Sequence, residues 1–246
     1  LRERDFPEEW NNRKRGKILM GEGENLRFAI ALAVKDLTVE LRRAHELLSI
    51  IAFALTSILM SSFAWGGFFI RNPAVLSAAL WIVIYFSNIL ALTTSFSREV
   101  DRGTIEGLRS LPTSPFVVLM GKVLYSFVVL LLVLLTTIIS SIIFLNLDVA
   151  VIPAILVLFV MGVMDLALVG SLVSALVMYS EGKTLLLSFL FFPVSVPVLI
   201  PSTQAAGRIL SGYTLIEVLP EIQLLLAFLL AIGGVSFLLF EHVFQE

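Results

Sequence analysis

The chain has 246 residues, of which 58% are apolar and 15% charged, with a formal net charge of −2. A soluble domain of this size carries about 25% charged residues to cover its surface, so the composition excludes a soluble globular protein and indicates a membrane one. The charge balance offers no basic footprint for nucleic acid, and the lack of cysteine excludes disulfides, iron–sulfur clusters and thiol nucleophiles.

Residues 1–25 are polar and contain no apolar core of the kind a secretory signal needs. They are read as a disordered cytosolic tail, with a start at Met20 and an upstream extension over 1–19 as the alternative. Residues 26–46 are a different object. Leu26, Ile30, Val34, Leu37 and Leu41 follow helical spacing on one face, and Lys35, Arg42 and Arg43 lie off it. This segment is too charged to span a bilayer and is expected to form an amphipathic interfacial helix.

The remainder, 47–246, divides at its charges. Residues 47–70, 72–97, 123–147, 184–207 and 222–240 carry no charge, and 149–180 carry only Asp165. A hydrocarbon core of about 30 Å takes about 20 helical residues. Six spans are therefore predicted, near 47–70, 74–96, 116–145, 151–178, 184–203 and 220–240. With six spans both termini share one side. That side holds nine basic residues from Arg27 to Lys183, against Arg71 and Arg208 opposite. This asymmetry predicts cytoplasmic termini.

Between the second and third spans lies the loop 97–115, SREVDRGTIEGLRSLPTSP. Gly103 and Gly107 are expected to end the preceding helix. Thr104 to Leu111 can form one short helix, and Ser114 with Pro115 makes an N-cap and N1 pair for the third span. The loop reads either as a solvated connection or as a docking surface for a cytosolic partner.

Within the fourth span, Asp165 places a carboxylate where an exposed one would cost a few kcal/mol or more. A functional role and a structural acid, protonated or hydrogen-bonded to a neighbouring helix, both remain open. In the fifth span, Pro193, Pro197 and Pro201 each remove a backbone donor. A kink or loss of helix is expected there, as a gate, a re-entrant segment or a packed bend. Residues 204–221 are then expected to form a short outer-leaflet segment.

Three apparent catalytic motifs fail. His45 and Glu46 begin a zincin-like helix, but Ser49 occupies the second ligand position. Gly182-Lys183-Thr184 resembles the end of a phosphate-binding loop, but Val177 stands where its first glycine belongs and an apolar span precedes it. No Gly-x-Ser-x-Gly elbow is present, and neither histidine lies inside a span. An intramembrane enzyme is disfavoured.

Arg98-Glu99, Gly103-Thr104-Ile105-Glu106, Leu111-Pro112 with Ser114-Pro115, and Gly121-Lys122-Val123-Leu124 together resemble the ABC-2 type permeases. Two further stretches narrow this: Lys35-Asp36-Leu37 with Glu40-Leu41-Arg42-Arg43, and 165–176 with the proline-rich 185–205. On these the chain, over about 25–240, resembles the CcmB family. Residues 1–19 lie outside the resemblance, and Asp165 stands where the family commonly has a small or neutral residue.

The resemblance implies an all-α polytopic membrane protein with an ABC-2 exporter-like permease fold, in the cytoplasmic or inner membrane. It implies a non-catalytic permease subunit for cytochrome c biogenesis, by haem export or by ATP-driven release of a haem chaperone. No cofactor is bound covalently; haem is a transported or handled ligand. A separate CcmA-like ATPase would dock on Glu99, Arg102, Gly103, Glu106 and Leu108. CcmC-like and CcmD-like membrane proteins, a CcmE-like chaperone and a second copy of the chain are the other implied partners. A general ABC-2 exporter of lipid, drug or glycan is the alternative.

Overall fold

The computed structural model describes residues 22–42, 44–65, 72–92, 103, 107 and 114–243. Every regular element among them is helical: α1 Glu22–Arg42, α2 Ala44–Trp65, α3 Pro73–Leu92, α4 Pro115–Leu145, α5 Ile152–Val177, α6 Lys183–Leu210 and α7 Leu219–Val243, with a 3-10 turn at Val149–Val151. Helices α2 to α7 are each long and apolar enough to cross a bilayer. The protein is thus an all-α, multi-pass membrane protein. Helix α1 begins at Glu22 and α2 already at Ala44. Glu46 therefore lies in the first turn of α2, where an acid suits the positive end of the helix dipole.

Helix α4 is 31 residues long, about 46 Å, and so exceeds a hydrocarbon core. It starts as its sequence predicts, with Pro115 after an extended Ser114, but the Ser114 hydroxyl makes no cap. The Ser114 carbonyl instead accepts from the Val117 amide at 3.0 Å. At its other end Asn146 turns left-handed at φ 52°, and its amide closes on the Ser141 carbonyl.

The core lies where α3, α4, α5 and α6 meet. Trp81 of α3 stacks on Phe159 of α5 at 4.6 Å, and Tyr85 on Phe191 of α6 at 5.2 Å. Gly162 makes this closeness possible, because a Cβ there would overlap the Trp81 ring and lie 2.9 Å from the Ser202 Oγ. Trp81 cannot retreat without losing its stack. Gly162→Ala is therefore expected to destabilise the bundle by about 1–3 kcal/mol, read as a lower thermal unfolding midpoint. Gly170→Ala is expected to cost less, since its added methyl meets the flexible tip of Leu92.

Of the outcomes expected from its prolines, loss of helix does not occur: α6 is continuous through Pro193, Pro197 and Pro201. Their four-residue spacing limits the damage. The carbonyls left without an i+4 donor are those of Phe189, Pro193 and Pro197, all on one strip of the helix. Packing against α3, α5 and α7 then holds the helix together. Consequently residues 204–210 belong to α6, and 219–221 to α7. What separates them is a short turn-rich link and not an extra leaflet segment. There Glu217 accepts from the Thr214 amide at 2.7 Å and the Thr214 hydroxyl at 2.8 Å. These two bonds hold its carboxyl below the usual range.

Candidate functional site at the base of α4

Two turns into α4, Lys122 is only 2% exposed. Its Nζ lies 2.8 Å from Asp36 Oδ2 on α1. Lys35 holds the other oxygen, Oδ1, at 3.2 Å. One turn further along both helices, Tyr125 donates its hydroxyl to Glu40 Oε2 at 2.9 Å, and Glu40 is 1% exposed. The local rule behind this is simple. Asp36 and Glu40 stand four apart and share a face of α1, while Lys122 and Tyr125 stand three apart and share a face of α4.

Small residues allow the approach. A Cβ on Gly121 would sit 2.8 Å from Leu32 Cδ2 and 3.1 Å from the Ala29 carbonyl oxygen. Ala29 thus faces Gly121 and Glu40 faces Tyr125. Moving from the first contact to the second covers about 16 Å of α1 but only about 6 Å of α4. Helices α1 and α4 share one of the two most extensive helix–helix contacts among the described residues.

Of the residues assigned to docking, Glu99, Arg102, Glu106 and Leu108 lie outside the described residues. Gly103 is described: it is exposed, with φ +65° and open space around the position a Cβ would take. Within this chain it is the left-handed backbone that calls for glycine here. His45 is a surface residue near Glu46, with 77% of its side chain exposed.

Asp165 lies midway along α5, 1% exposed, and its Oδ1 has no hydrogen-bond partner among the described residues. Next to it the Asn88 side chain donates to the Leu166 carbonyl at 3.1 Å. Asp165 is not part of the α1–α4 cluster. Of the three prolines, Pro193 and Pro197 are exposed on the flank of α6, and Pro201 is buried.

Sequence reasoning noted the stretches 35–43 and 121–124 separately and did not join them. The available signals were an Asp-x-x-x-Glu pair on one face of an amphipathic helix and a lysine inside an apolar run. At the far end, Arg208 pairs with Glu221 at 2.7 Å and lies over the Tyr213 ring.

No curated protein matches the chain. The family described as CcmB protein matches it over residues 27–242, a range that includes most of α1, the cluster and, but for the last residue of α7, all six long helices. CcmB proteins are the membrane permease component of the haem exporter of cytochrome c maturation, and this chain belongs to the CcmB family.

Proposed function

We propose that this chain is the lever through which a separate CcmA-like ATPase acts on the membrane part of the exporter. The carrying observation is the buried Lys122–Asp36 pair. It stands seven residues beyond Pro115, where the loop 97–115 becomes helix α4. A push on that loop moves the base of α4, and the ion pair obliges α1 to follow. The basic-residue asymmetry supports cytoplasmic termini, which puts the loop on the side where ATP is available. Pairing of Arg208 with Glu221 further reduces the free positive charge at the opposite end.

In this reading ATP hydrolysis resides in the partner chain, and two copies of the permease work with two ATPases. CcmC-like and CcmD-like proteins stand alongside in the cytoplasmic or inner membrane, and a CcmE-like chaperone is served indirectly. Haem is the handled substrate. Neither His45 nor His242 falls within a charge-free run, which supports a mechanical part for this chain.

Affinity purification of the tagged chain from native membranes tests the reading. An ABC ATPase together with CcmC-like or CcmE-like proteins is expected. Recovery of an ATPase alone would favour a general exporter of lipid, drug or glycan. Glu106→Lys is expected to cut ATPase recovery at least about tenfold, as charge reversal at an interface does, with normal amounts of the permease in the membrane. Full recovery would overturn the docking assignment.

A further inference from the structure

Helix α1 has three sides. At about 100° per residue, Ala29, Leu32, Asp36 and Glu40 fall on the side that meets α4. Leu26, Ile30, Val34 and Leu41 fall on a second side and are 59%, 47%, 56% and 57% exposed. Arg27, Lys35 and Arg42 fall on a third, also exposed. From Leu26 onward the helix has only two acids, Asp36 and Glu40, and both are turned inward onto Lys122 and Tyr125. Lys35 also holds Asp36 Oδ1 at 3.2 Å, and the exposed Glu24 lies one turn before Arg27, so the outward positive charge of this stretch is carried by Arg27 and Arg42.

Beside the apolar side, an open groove of about 190 Å³ runs between the two helices, lined by Ile30, Ala33, Val34 and Leu37 and, across from them, Leu124 and Val128. Its wall is apolar, and Ile30 and Val34 belong both to it and to the exposed stripe. A helix with a protein side, an apolar side and a cationic side fits the corner between a membrane protein, acyl chains and head groups.

We propose that α1 is a binding surface for anionic phospholipid. Arg27 and Arg42 hold the phosphate head groups, the stripe lies among the acyl chains, and one chain fills the groove. The cationic side supplies the choice of head group, since each basic residue near the surface gains from an anionic lipid but not from a zwitterionic one. Because α1 is joined to α4 through Asp36 and Glu40, the bound lipid bears on the same lever that the ATPase would move. The inference needs only the bilayer, so its failure would leave the proposed coupling standing.

The test is native mass spectrometry of the purified full chain, equilibrated in micelles with equal amounts of phosphatidylglycerol and phosphatidylcholine. The chain is expected to retain phosphatidylglycerol at least about fivefold over phosphatidylcholine, given two basic contacts. Arg27→Gln/Arg42→Gln is expected to bring the two lipids near parity. Arg27→Gln and Arg42→Gln singly, at exposed positions, are expected to give intermediate ratios, which guards against misfolding of the double variant. Lys183→Gln, a basic residue at the start of α6, is expected to keep the preference. Equal retention by the parent chain, an unchanged ratio in the double variant, or an equal loss with Lys183→Gln would each overturn the proposal.

Discussion

Lys122→Met is expected to be among the most damaging single replacements in the chain. The lysine is 2% exposed and its Nζ is 2.8 Å from Asp36 Oδ2. Removing one partner of a buried pair costs about 3–5 kcal/mol, because the other charge stays buried and uncompensated. Lys35 still holds Asp36 Oδ1 at 3.2 Å, so the lower end of that range, about 3 kcal/mol, is expected. In thermal unfolding of the purified chain this corresponds to a midpoint lower by about 10 °C. The informative comparison is Lys122→Met/Asp36→Leu. A buried ion pair gives little net stability over a well-packed apolar pair, so the double variant is expected to recover most of the loss. It would still lack the fixed polar register between α1 and α4. If cytochrome c assembly returns with stability, the pair serves only to hold the fold; if stability returns alone, the pair carries movement. A single variant that melts like the parent chain would remove the cluster from the argument.

What could be read from the residues alone was the part set by solvent. The six spans follow from charge-free runs, since hydrocarbon excludes charge and demands internally bonded backbone. The start of α4 followed from local chemistry too, because Pro115 has no donor to lose at a helix N-terminus. The α1–α4 cluster was not legible in this way. Its partners, Glu40 and Tyr125, are 85 positions apart, and a lysine near a span end is naturally counted among orienting loop charges. Only the start of α4 at Pro115 places Lys122 two turns inside a helix and against Asp36. On loss of helix the prolines of α6 misled for the opposite reason. Local propensity says break, but each missing donor falls on the same strip and three neighbouring helices pack against it. The short link that replaces the expected leaflet segment is held by Glu217 accepting from the Thr214 amide and hydroxyl, a local turn that was not read from the residues.

Asp165→Leu is expected to make the protein more stable. A buried polar atom without a partner forfeits its hydration with no return, at about 1–3 kcal/mol, and Asp165 Oδ1 is such an atom at a residue 1% exposed. Leucine has the same branching and number of side-chain heavy atoms, and the buried residues of α5 near it, such as Leu158, Leu166 and Val169, belong to the apolar core. The unfolding midpoint is expected to rise by several degrees, at about 2–4 °C per kcal/mol. Asp165→Asn, which keeps the shape and a hydrogen-bonding amide, is expected to leave it nearly unchanged. A midpoint that falls with Leu but holds with Asn would mean that the acid is hydrogen-bonded, through its other oxygen, to a neighbouring helix. Cytochrome c assembly supplies the independent axis. It is expected to persist in both variants, because Asp165 lies outside the cluster that joins α1 to α4. A chain that becomes more stable and loses assembly would show that an unpaired carboxyl is kept in the membrane at a cost in stability because the transport cycle uses it.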